Sequence, residues 1–341
     1  MKHIYLIILI LFMLPSISLS QESCNAKLKR AQKLFSAGII EDIESMLTPC
    51  LQEGFSREEK LEAYKLLVAI SIFEDKLDKA DGYMLRFLKI NPEYEIKDGV
   101  DPAEFIHVLN TFNRKPLVSV GLTFGGNFAY GKIQKKFSVY DTPATDIKYS
   151  SPGMSIQGGL TMKFHLTDNH NICLDVLFAQ QKVNYSSTYF DELVNFNESQ
   201  TRLLFPLSFA YYKYNLKNLY PFIEGGICVE MLMGANAEIT RKNLGSDDIT
   251  GPSANIKQKR NNYSTDLMAG LGCDYRIKKG RISVTARYFA GLTNQTNKSN
   301  RFDNNEFIFK YHYIDSDFRI NRFYFTVSYL YPLYNLKKKS K

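Results

Sequence analysis

Residues 201–215 have the sequence TRLLFPLSFAYYKYN and residues 219–231 the sequence LYPFIEGGICVEM, with the short turn segment LKN between them. In both runs, apolar side chains alternate with polar or small ones, and this period of two predicts a β-hairpin. Each run is about ten to fourteen residues long, roughly double the usual length of a globular strand. A tilted strand of that length can cross a bilayer. The hairpin therefore predicts a membrane barrel rather than a soluble sandwich.

Besides this hairpin, the period-two pattern occurs in six further segments, of which the first begins at Pro116. Together with the two strands of the hairpin, these segments predict an antiparallel barrel of eight strands over residues 116–334. Short polar connections are predicted at residues 168–170, 216–218 and 278–280. Long ones are predicted at residues 131–149, 182–200, 235–262 and 294–317. Outer-membrane barrels have short turns in the periplasm and long loops outside. Both ends of the barrel segment are therefore expected to face the periplasm.

The strand faces opposite the apolar ones carry charged side chains. They are Arg202, Glu224, Glu230, Asp274, Arg276 and Arg287. A soluble up-and-down barrel is the alternative, but it would turn its apolar side chains inward. The interior of an eight-stranded barrel is only wide enough to be filled by side chains, and buried charges must be paired. We therefore expect a balanced network of three acidic and three basic groups that plugs the barrel and leaves no ion-conducting pore.

Residues 1–20 combine one lysine with a short apolar run and the small-residue site Ser18-Leu19-Ser20, which predicts a secretory signal peptide. A membrane anchor is the weaker alternative, because the run is shorter than the roughly 20 residues that a spanning helix needs. Lipidation of Cys24 is a second alternative, although Gln21-Glu22-Ser23 makes a poor lipobox. The expected location is the outer membrane.

Residues 21–115 have helical rather than alternating periodicity, and their pattern predicts five helices in a small all-helical domain before the barrel. Ser56 and Glu59 have the spacing of a capping box. Asp101-Pro102 has the order expected at a helix start, with Asp101 as the cap followed by proline. The segment 61–94 resembles a single tetratricopeptide repeat, with Tyr64, Leu67, Ala80 and Pro92 at that repeat's spacing. A helical hairpin domain without a peptide-binding role is the alternative.

Two of the five cysteines lie in the helical domain. Cys24 is predicted near the start of the first helix and Cys50 near the end of the second, so an antiparallel pair brings them together. An exported protein can hold such a disulfide, and two buried thiols are the alternative. Cys173, Cys228 and Cys273 lie on strands without metal-ligand spacing, and we interpret them as small packing residues.

Charge is divided unevenly along the chain. Residues 21–115 carry 14 basic and 17 acidic residues, a net charge of −3, whereas residues 116–341 carry 28 and 18, a net charge of +10. The second part includes a basic tail, residues 335–341, which is expected in the periplasm. An acidic helical domain favours a basic protein partner. The predicted partner contacts are Glu62, Lys65, Asp81 and Arg86.

Four segments carry a family resemblance: LFPLSFAYY at 204–212, YPFIEGGICVEMLMGA at 220–235, LMAGLGCDY at 267–275 and ARYFAGLTN at 286–294. Over about residues 116–332 the chain resembles the PorT-like porin-family outer-membrane barrels of Bacteroidota. The resemblance implies an eight-stranded barrel without catalytic activity, and some members are linked to type IX secretion or gliding. This chain differs in Glu224 and Glu230, and in having a helical domain.

The leading hypothesis is a non-enzymatic outer-membrane anchor for a periplasmic interaction domain, with no cofactor, metal or nucleic-acid partner. A lipid-modifying enzyme is the first alternative, and it needs a serine, a histidine and a carboxylate. His312 with Asp315 and Ser316 is the candidate for an outward-facing site of that kind. A lipopolysaccharide-binding module is the second alternative, since basic loop residues can pair with phosphates. Those residues are Lys135, Lys136, Arg241, Lys242, Lys257, Lys259 and Arg260.

Overall fold

The computed structural model describes residues 23–139, 146–151, 153–189, 192–213, 216, 218–243, 247–277 and 279–339. The predicted signal peptide at residues 1–20 lies outside the described residues. Two compact units make up the chain, a helical unit formed by residues up to Lys115 together with the C-terminal tail, and a strand unit, Pro116–Tyr334.

No helix in the described part of the chain is both long enough and apolar enough to cross a membrane.

Within the described residues, the helical unit has five helices. They are α1 Cys24–Ser36, α2 Ile43–Gln52, α3 Arg57–Phe73, α4 Leu77–Ile90 and α5 Ala103–Thr111. The predicted capping box is confirmed, because Ser56 Oγ accepts a bond from the Glu59 N–H while the Glu59 carboxylate accepts one from the Ser56 N–H. The core has edge-to-face rings at its centre, where the Phe87 centroid lies 5.0 Å from Phe105 and 5.1 Å from Tyr94. All five of these helices, together with the segment before α5, contribute buried residues to one apolar core.

Helix α5 begins next to the predicted proline, but Asp101 is not its cap. Pro102 occupies the N-cap position. The Asp101 carboxylate points into the unit, where it accepts bonds from the Lys97 N–H and the Tyr94 hydroxyl. The sequence pattern located this helix start correctly and assigned Asp101 the wrong role.

In the described part of the strand unit there are eleven strands, of which eight are long. The long ones are β1 Pro116–Lys135, β3 Ser155–His165, β4 His170–Tyr189, β5 Glu192–Tyr212, β6 Leu219–Asn243, β9 Tyr263–Ile277, β10 Gly280–Gly291 and β11 Asp317–Tyr334. The short ones are β2 Asp146–Ser150, β7 Ile249–Thr250 and β8 Ala254–Asn255. Every pairing is antiparallel, and β1 pairs with β11 as well as with β3, for example Gly125 with Thr326. The eight long strands therefore close into a barrel, as predicted.

The two ends of the barrel differ. Short connections join β3 to β4, β5 to β6 and β9 to β10 at one end, which we call the turn end. At the opposite, loop end, the predicted long loop at 182–200 is wrong, because β4 continues to Tyr189 and β5 already begins at Glu192. Strand β6 likewise runs to Asn243, into the predicted loop at 235–262. Paired strands extend well beyond the predicted membrane segments.

The alternation of apolar residues changes phase along these strands. On β4, apolar side chains such as Val176 and Phe178 face outward, whereas from Val183 and Tyr185 onward the apolar side chains are buried inside. A barrel wall surrounded by lipid is apolar outside, and one surrounded by water is apolar inside. The phase change therefore marks the place where the surroundings of the strand change from lipid to water. Because the sequence analysis relied on outward-facing apolar residues, it did not predict the part of the strand beyond this place.

An apolar band encircles the outside of the barrel. On β11, Phe323, Phe325, Val327, Tyr329 and Tyr331 are each 44–55% exposed, while the side chains between them are buried. From Phe323 to Tyr331 the strand covers about 26 Å, close to the roughly 25 Å apolar band of outer-membrane barrels before tilt is considered. A soluble barrel would bury these rings inside, so the exterior is built for contact with lipid.

A second apolar core fills the loop end. Its buried members come from the extended strands, from Ile256 between β8 and β9, and from the connection between β10 and β11, which includes the short helix α6 Asn305–Phe309. The rings of Phe196 and Tyr313 stack with centroids 4.3 Å apart, and Phe307 packs edge-on against both. The last long connection is thereby folded across the inside of the extended strands.

Candidate functional site

Three clusters of charged side chains occupy the barrel interior. The central cluster consists of Arg202, Glu230, Asp266 and Arg322, all fully buried. Arg322 pairs with both carboxylates through one guanidinium nitrogen. Arg202 Nη1 lies 3.5 Å from Glu230 Oε2 and donates a 2.9 Å bond to Ser264 Oγ. Two cations and two anions therefore balance at mid-barrel.

The lower cluster lies toward the turn end. Lys163 Nζ is 2.7 Å from Asp274 Oδ2 and donates a 2.7 Å bond to the Tyr212 hydroxyl. Arg287 Nε is 2.7 Å from Glu224 Oε1, and its Nη1 pairs with Asp175. The void among these side chains measures about 10 Å³, which is about the space that one water molecule needs. This part of the interior is filled.

The upper cluster lies at the loop end beneath the second apolar core. Arg260 Nε lies 2.7 Å from Glu198 Oε1, and its Nη2 lies 2.9 Å from Asp315 Oδ1. Asp315 also accepts a 2.8 Å bond from the Tyr313 hydroxyl. The cluster ties the last connection to β5 and to the segment before β9. The upper cluster therefore fills the part of the barrel interior nearest the loop end.

Five of the six charged residues predicted for the interior lie in these clusters. They are Arg202, Glu224, Glu230, Asp274 and Arg287. Arg276 lies two residues beyond Asp274 near the turn end of β9 and is half-buried. The sequence reasoning missed seven charged members, which are Lys163, Asp175, Glu198, Arg260, Asp266, Asp315 and Arg322. Lys163 and Asp175 lie on the polar faces of their predicted strands, so the alternation alone could have identified them, whereas Arg260 fell in a predicted loop.

Two carboxylates of the central cluster and the neighbouring Cys228 form a group that resembles a cation site. Cys228 Sγ and one carboxylate oxygen each from Glu230 and Asp266 lie within 4.8 Å of one another. Both carboxylates, however, are contacted by Arg322, and Glu230 also by Arg202. A metal ion there would face two guanidinium groups at close range. The donor set therefore does not fit a metal, and the charges are balanced within the protein.

A serine, a histidine and an asparagine form a hydrogen-bonded series at the turn end of the interior. Ser119 Oγ lies 2.8 Å from His165 Nε2, and His165 Nδ1 lies 3.2 Å from Asn171 Oδ1. This is the order of nucleophile, base and orienting group used in acyl transfer. Ser119 is only 1% exposed. Sequence patterns could not reveal this series, because its members come from three separate strands.

The structure does not assemble the predicted His312 site. His312 Nδ1 lies 3.0 Å from Glu192 Oε2. Asp315 is buried and held by Arg260 and Tyr313, as described above, and Ser316 Oγ accepts a bond from the Phe137 N–H. Neighbours in sequence are thus engaged with three different parts of the loop end.

The basic residues predicted to meet lipopolysaccharide are not equally available. Lys259 and Arg260 are buried, so the prediction of solvated loop cations is wrong for these two. Arg241 pairs with Glu192, and Lys242 Nζ lies 3.1 Å from Asp248. Lys135 and Lys136 are exposed and Lys257 is half-buried.

In the helical unit, Lys65 is not a surface residue. It is 5% exposed, with Nζ 2.9 Å from Asp101 Oδ1, 3.1 Å from Glu62 Oε1 and 4.7 Å from the centre of the Tyr94 ring. Burial lowers the pKa of Lys65, but bonds with Tyr94, Asp101 and Glu62 outweigh it and raise the pKa above its usual value. Helical spacing placed Lys65 among exposed polar residues, whereas the segment before α5 covers it.

The other predicted partner contacts are differently placed. Glu62 is about half exposed, Arg86 is exposed, and Asp81 pairs with Lys338 of the C-terminal tail. The tail is held by backbone bonds as well, from the Asn113 N–H to Lys337 O and from the Lys339 N–H to Thr111 O. Its four lysines change the net charge of this unit from −3 to +1. The acidity inferred for the helical unit is therefore offset by the tail.

Cys24 and Cys50 form a disulfide that ties the start of α1 to α2, with Cα atoms 5.6 Å apart. Gly54 lies against it with φ of +119°, and a Cβ there would be 2.7 Å from Cys24 Sγ. Only glycine fits this position without a shift. The free thiols of Cys173 and Cys228 are buried in the barrel, and Cys273 is half-buried.

The profile of a family described as outer membrane protein beta-barrel domain matches residues 113–297, more than half of the chain. No curated protein sequence matches the chain. Among solved structures, the chain is similar to OprG from Pseudomonas aeruginosa, with 13% identity, a TM-score of 0.36 and coverage of 64% of this chain and 96% of that chain. It is also similar to the N-terminal β-barrel domain of OprF from the same organism, with 12% identity, a TM-score of 0.26 and coverage of 63% of this chain and 98% of that chain. A third similar structure is that of the outer membrane protease OmpT from Escherichia coli, with 8% identity, a TM-score of 0.35 and coverage of 63% of this chain and 96% of that chain.

Proposed function

Because the chain belongs to the outer membrane protein beta-barrel domain family and its barrel lies in the outer membrane, we propose that it is a non-enzymatic anchor. In this proposal the filled barrel holds the helical unit in the periplasm, and the helical unit contacts a protein partner. The export that this requires is provided by the predicted signal peptide.

The observation that carries the proposal is the filled interior. Three charge clusters occupy successive levels, the void in the lower cluster measures about 10 Å³, and the second apolar core covers the loop end. A small barrel filled in this way supports no solute path. The function of the protein then lies at the ends of the barrel, where the helical unit is a larger structure than the loops.

The orientation is inferred from the three short connections at the turn end, which also holds the first and last residues of the strand unit. In outer-membrane barrels such turns face the periplasm. The finer proposals are a PorT-like barrel of Bacteroidota, a tetratricopeptide-like fold for the 61–94 hairpin, and a role beside type IX secretion or gliding machinery. The sequence resemblances described above support them.

Deletion of residues 24–112, with the signal segment and barrel retained, tests the proposal. We expect the truncated barrel to insert and to run as a folded species on unheated gels, but to fail to complement a deletion strain. The full-length chain with Lys310→Ala, an exposed change at the loop end, is the matched control and should complement. A truncated barrel that restores the phenotype would place the function in the loops and refute the proposal.

A second candidate function is ester hydrolysis or acyl transfer, and the Ser119–His165–Asn171 series favours it. The near-complete burial of Ser119 opposes it, because a substrate carbonyl must reach the Oγ atom. Labelling of the purified protein by a fluorophosphonate probe, and its loss in Ser119→Ala, would support the enzyme. Absence of labelling, together with unchanged lipid profiles in a deletion strain and in the His312→Ala variant, would exclude both serine hydrolase candidates.

A further inference from the structure

A polar pocket of about 300 Å³ opens on the outer face of the extended strands near the loop end. Six of its side chains form two rows across β4, β5 and β6. One row is Lys182, Ser199 and Asn236, and the next is Asn184, Asn197 and Glu238. Ser253, between β7 and β8, also lines it. The volume lies at the lower end of the range for small-ligand pockets, about 300–1,000 Å³.

The hydrogen-bonding groups of these rows are unused. Within the described residues, none of the seven side chains just named makes a hydrogen bond or ion pair with another side chain, whereas their inward-facing neighbours Glu198 and Gln200 are bonded to Arg260 and Arg202. Three amides, two hydroxyls, one ammonium and one carboxylate thus face a single cavity. Such a set provides both donors and acceptors with no net charge, which suits a polyhydroxyl ligand better than a phosphate.

The distance of the pocket from the apolar band of the barrel indicates which class of membrane lipid could supply such a ligand. On β5, Leu203 is the last apolar side chain on the outer face before Thr201, Ser199 and Asn197. With about 3.3 Å per residue and a tilt of roughly 40°, the two rows lie about 10–15 Å beyond Leu203. The headgroup layer of a bilayer is only about 5–8 Å deep on each side. The headgroup of a phospholipid ends below the pocket, but sugars attached to a lipid extend to this height.

We propose that this pocket binds the saccharide portion of a glycolipid in the surrounding leaflet, the core sugars of lipopolysaccharide being the fitting chemistry. The site faces sideways from the barrel wall, so the ligand remains anchored in the membrane while its sugars lie against β4, β5 and β6. The identity of the leaflet rests on the orientation given under the proposed function, while the binding site itself does not.

The test uses the full-length protein in detergent micelles, titrated with rough lipopolysaccharide, which carries core sugars, and separately with lipid A, which lacks them. The wild type should bind the sugar-bearing form more tightly. Joint substitution of Asn197→Ala and Asn236→Ala should weaken that binding about tenfold and leave lipid A binding unchanged. Asn195→Ala is the matched control, because it removes the same side chain from the same face of β5, one row beyond the pocket, and should change affinity less than twofold.

Equal affinity of the wild type for the two glycolipids would overturn the proposal, as would an equal loss in the control. Folding of each variant is checked by its mobility on unheated gels. In intact cells, Ser253→Cys should react with a membrane-impermeant maleimide, with the wild type as background. If labelling required permeabilised cells, the proposed orientation would be refuted, and with it a glycolipid of the outer leaflet as the ligand. The titration tests saccharide binding by the pocket independently of the orientation.

Discussion

Lys65 on α3 and Asp101 before α5 form an ion pair of 2.9 Å in the interior of the helical unit, and the Tyr94 hydroxyl donates to the same carboxylate. The pair joins the longest helix to the segment that precedes the last one. Asp101→Asn would leave the buried Lys65 ammonium with only the half-exposed Glu62 as an ionic partner, so it should lower the free energy of unfolding by about 3 kcal/mol. Thermal unfolding followed at 222 nm, where helices dominate the signal, measures it. Lys76→Ala, at an exposed pair with Glu74, is the control and should cost less than about 1 kcal/mol.

The same pair predicts a dependence of stability on pH. Burial raises the pKa of Asp101, but the Lys97 N–H, Lys65 and Tyr94 outweigh it, so the pKa lies below its usual value. A carboxyl with a lowered folded pKa stabilises fully above its unfolded pKa of about 3.9 and loses that contribution as the pH falls further. The difference in melting temperature between the wild type and Asp101→Asn should therefore shrink below about pH 4. A difference that stays constant down to pH 2 would contradict this account of Asp101.

The Cys24–Cys50 disulfide should stabilise the helical unit against unfolding. In the chain-entropy model a loop of this size contributes roughly 3 kcal/mol, so the double variant Cys24→Ser and Cys50→Ser should melt at a lower temperature at 222 nm. Cys273→Ser, on the barrel, should leave that transition unchanged. Mass analysis of unreduced peptides should recover residues 24 and 50 in one linked species, and two alkylated thiols would refute the bridge.

Arg322 should be required for a stable barrel. It neutralises Glu230 and Asp266 at mid-barrel, and Arg322→Met would leave Arg202 alone with two buried carboxylates. We expect the folded, fast-migrating species on unheated gels to be lost at a temperature well below that of the wild type. Lys242→Met removes a cation from a half-exposed pair and should leave the transition within a few degrees. Equal behaviour of the two variants would show that the central cluster does not stabilise the barrel.

Asp315 should hold the loop end closed. It pairs with Arg260 and accepts from Tyr313, so Asp315→Asn should loosen the connection between β10 and β11. Trypsin added to intact cells should then cleave at Lys298 or Lys310 several times faster than in the wild type. Asp303→Asn, an exposed change in the same connection, should not alter the rate. Cleavage within residues 24–112 under these conditions would instead overturn the proposed orientation.

Much of the fold follows from local patterns. The apolar alternation predicted the eight long strands, and Ser56 with Glu59 predicted the start of α3, because both features depend on neighbours in sequence. The extended strands were missed because their apolar residues, such as Val183 and Phe196, face inward instead of outward. The full charge network could not be predicted either, since the partners of Arg287 and Arg322 lie on strands that only the closed barrel brings together.

Single-channel recording tests the filled interior most directly. Full-length protein is reconstituted in a planar bilayer, with a sixteen-stranded porin, whose lumen is water-filled, as the positive control. The charge clusters and the loop-end core predict no conductance steps above the bare membrane over many insertions confirmed by antibody against the chain. Steady, reproducible open-channel steps from the wild-type protein would contradict a filled barrel and, with it, the assignment of function to the ends of the barrel.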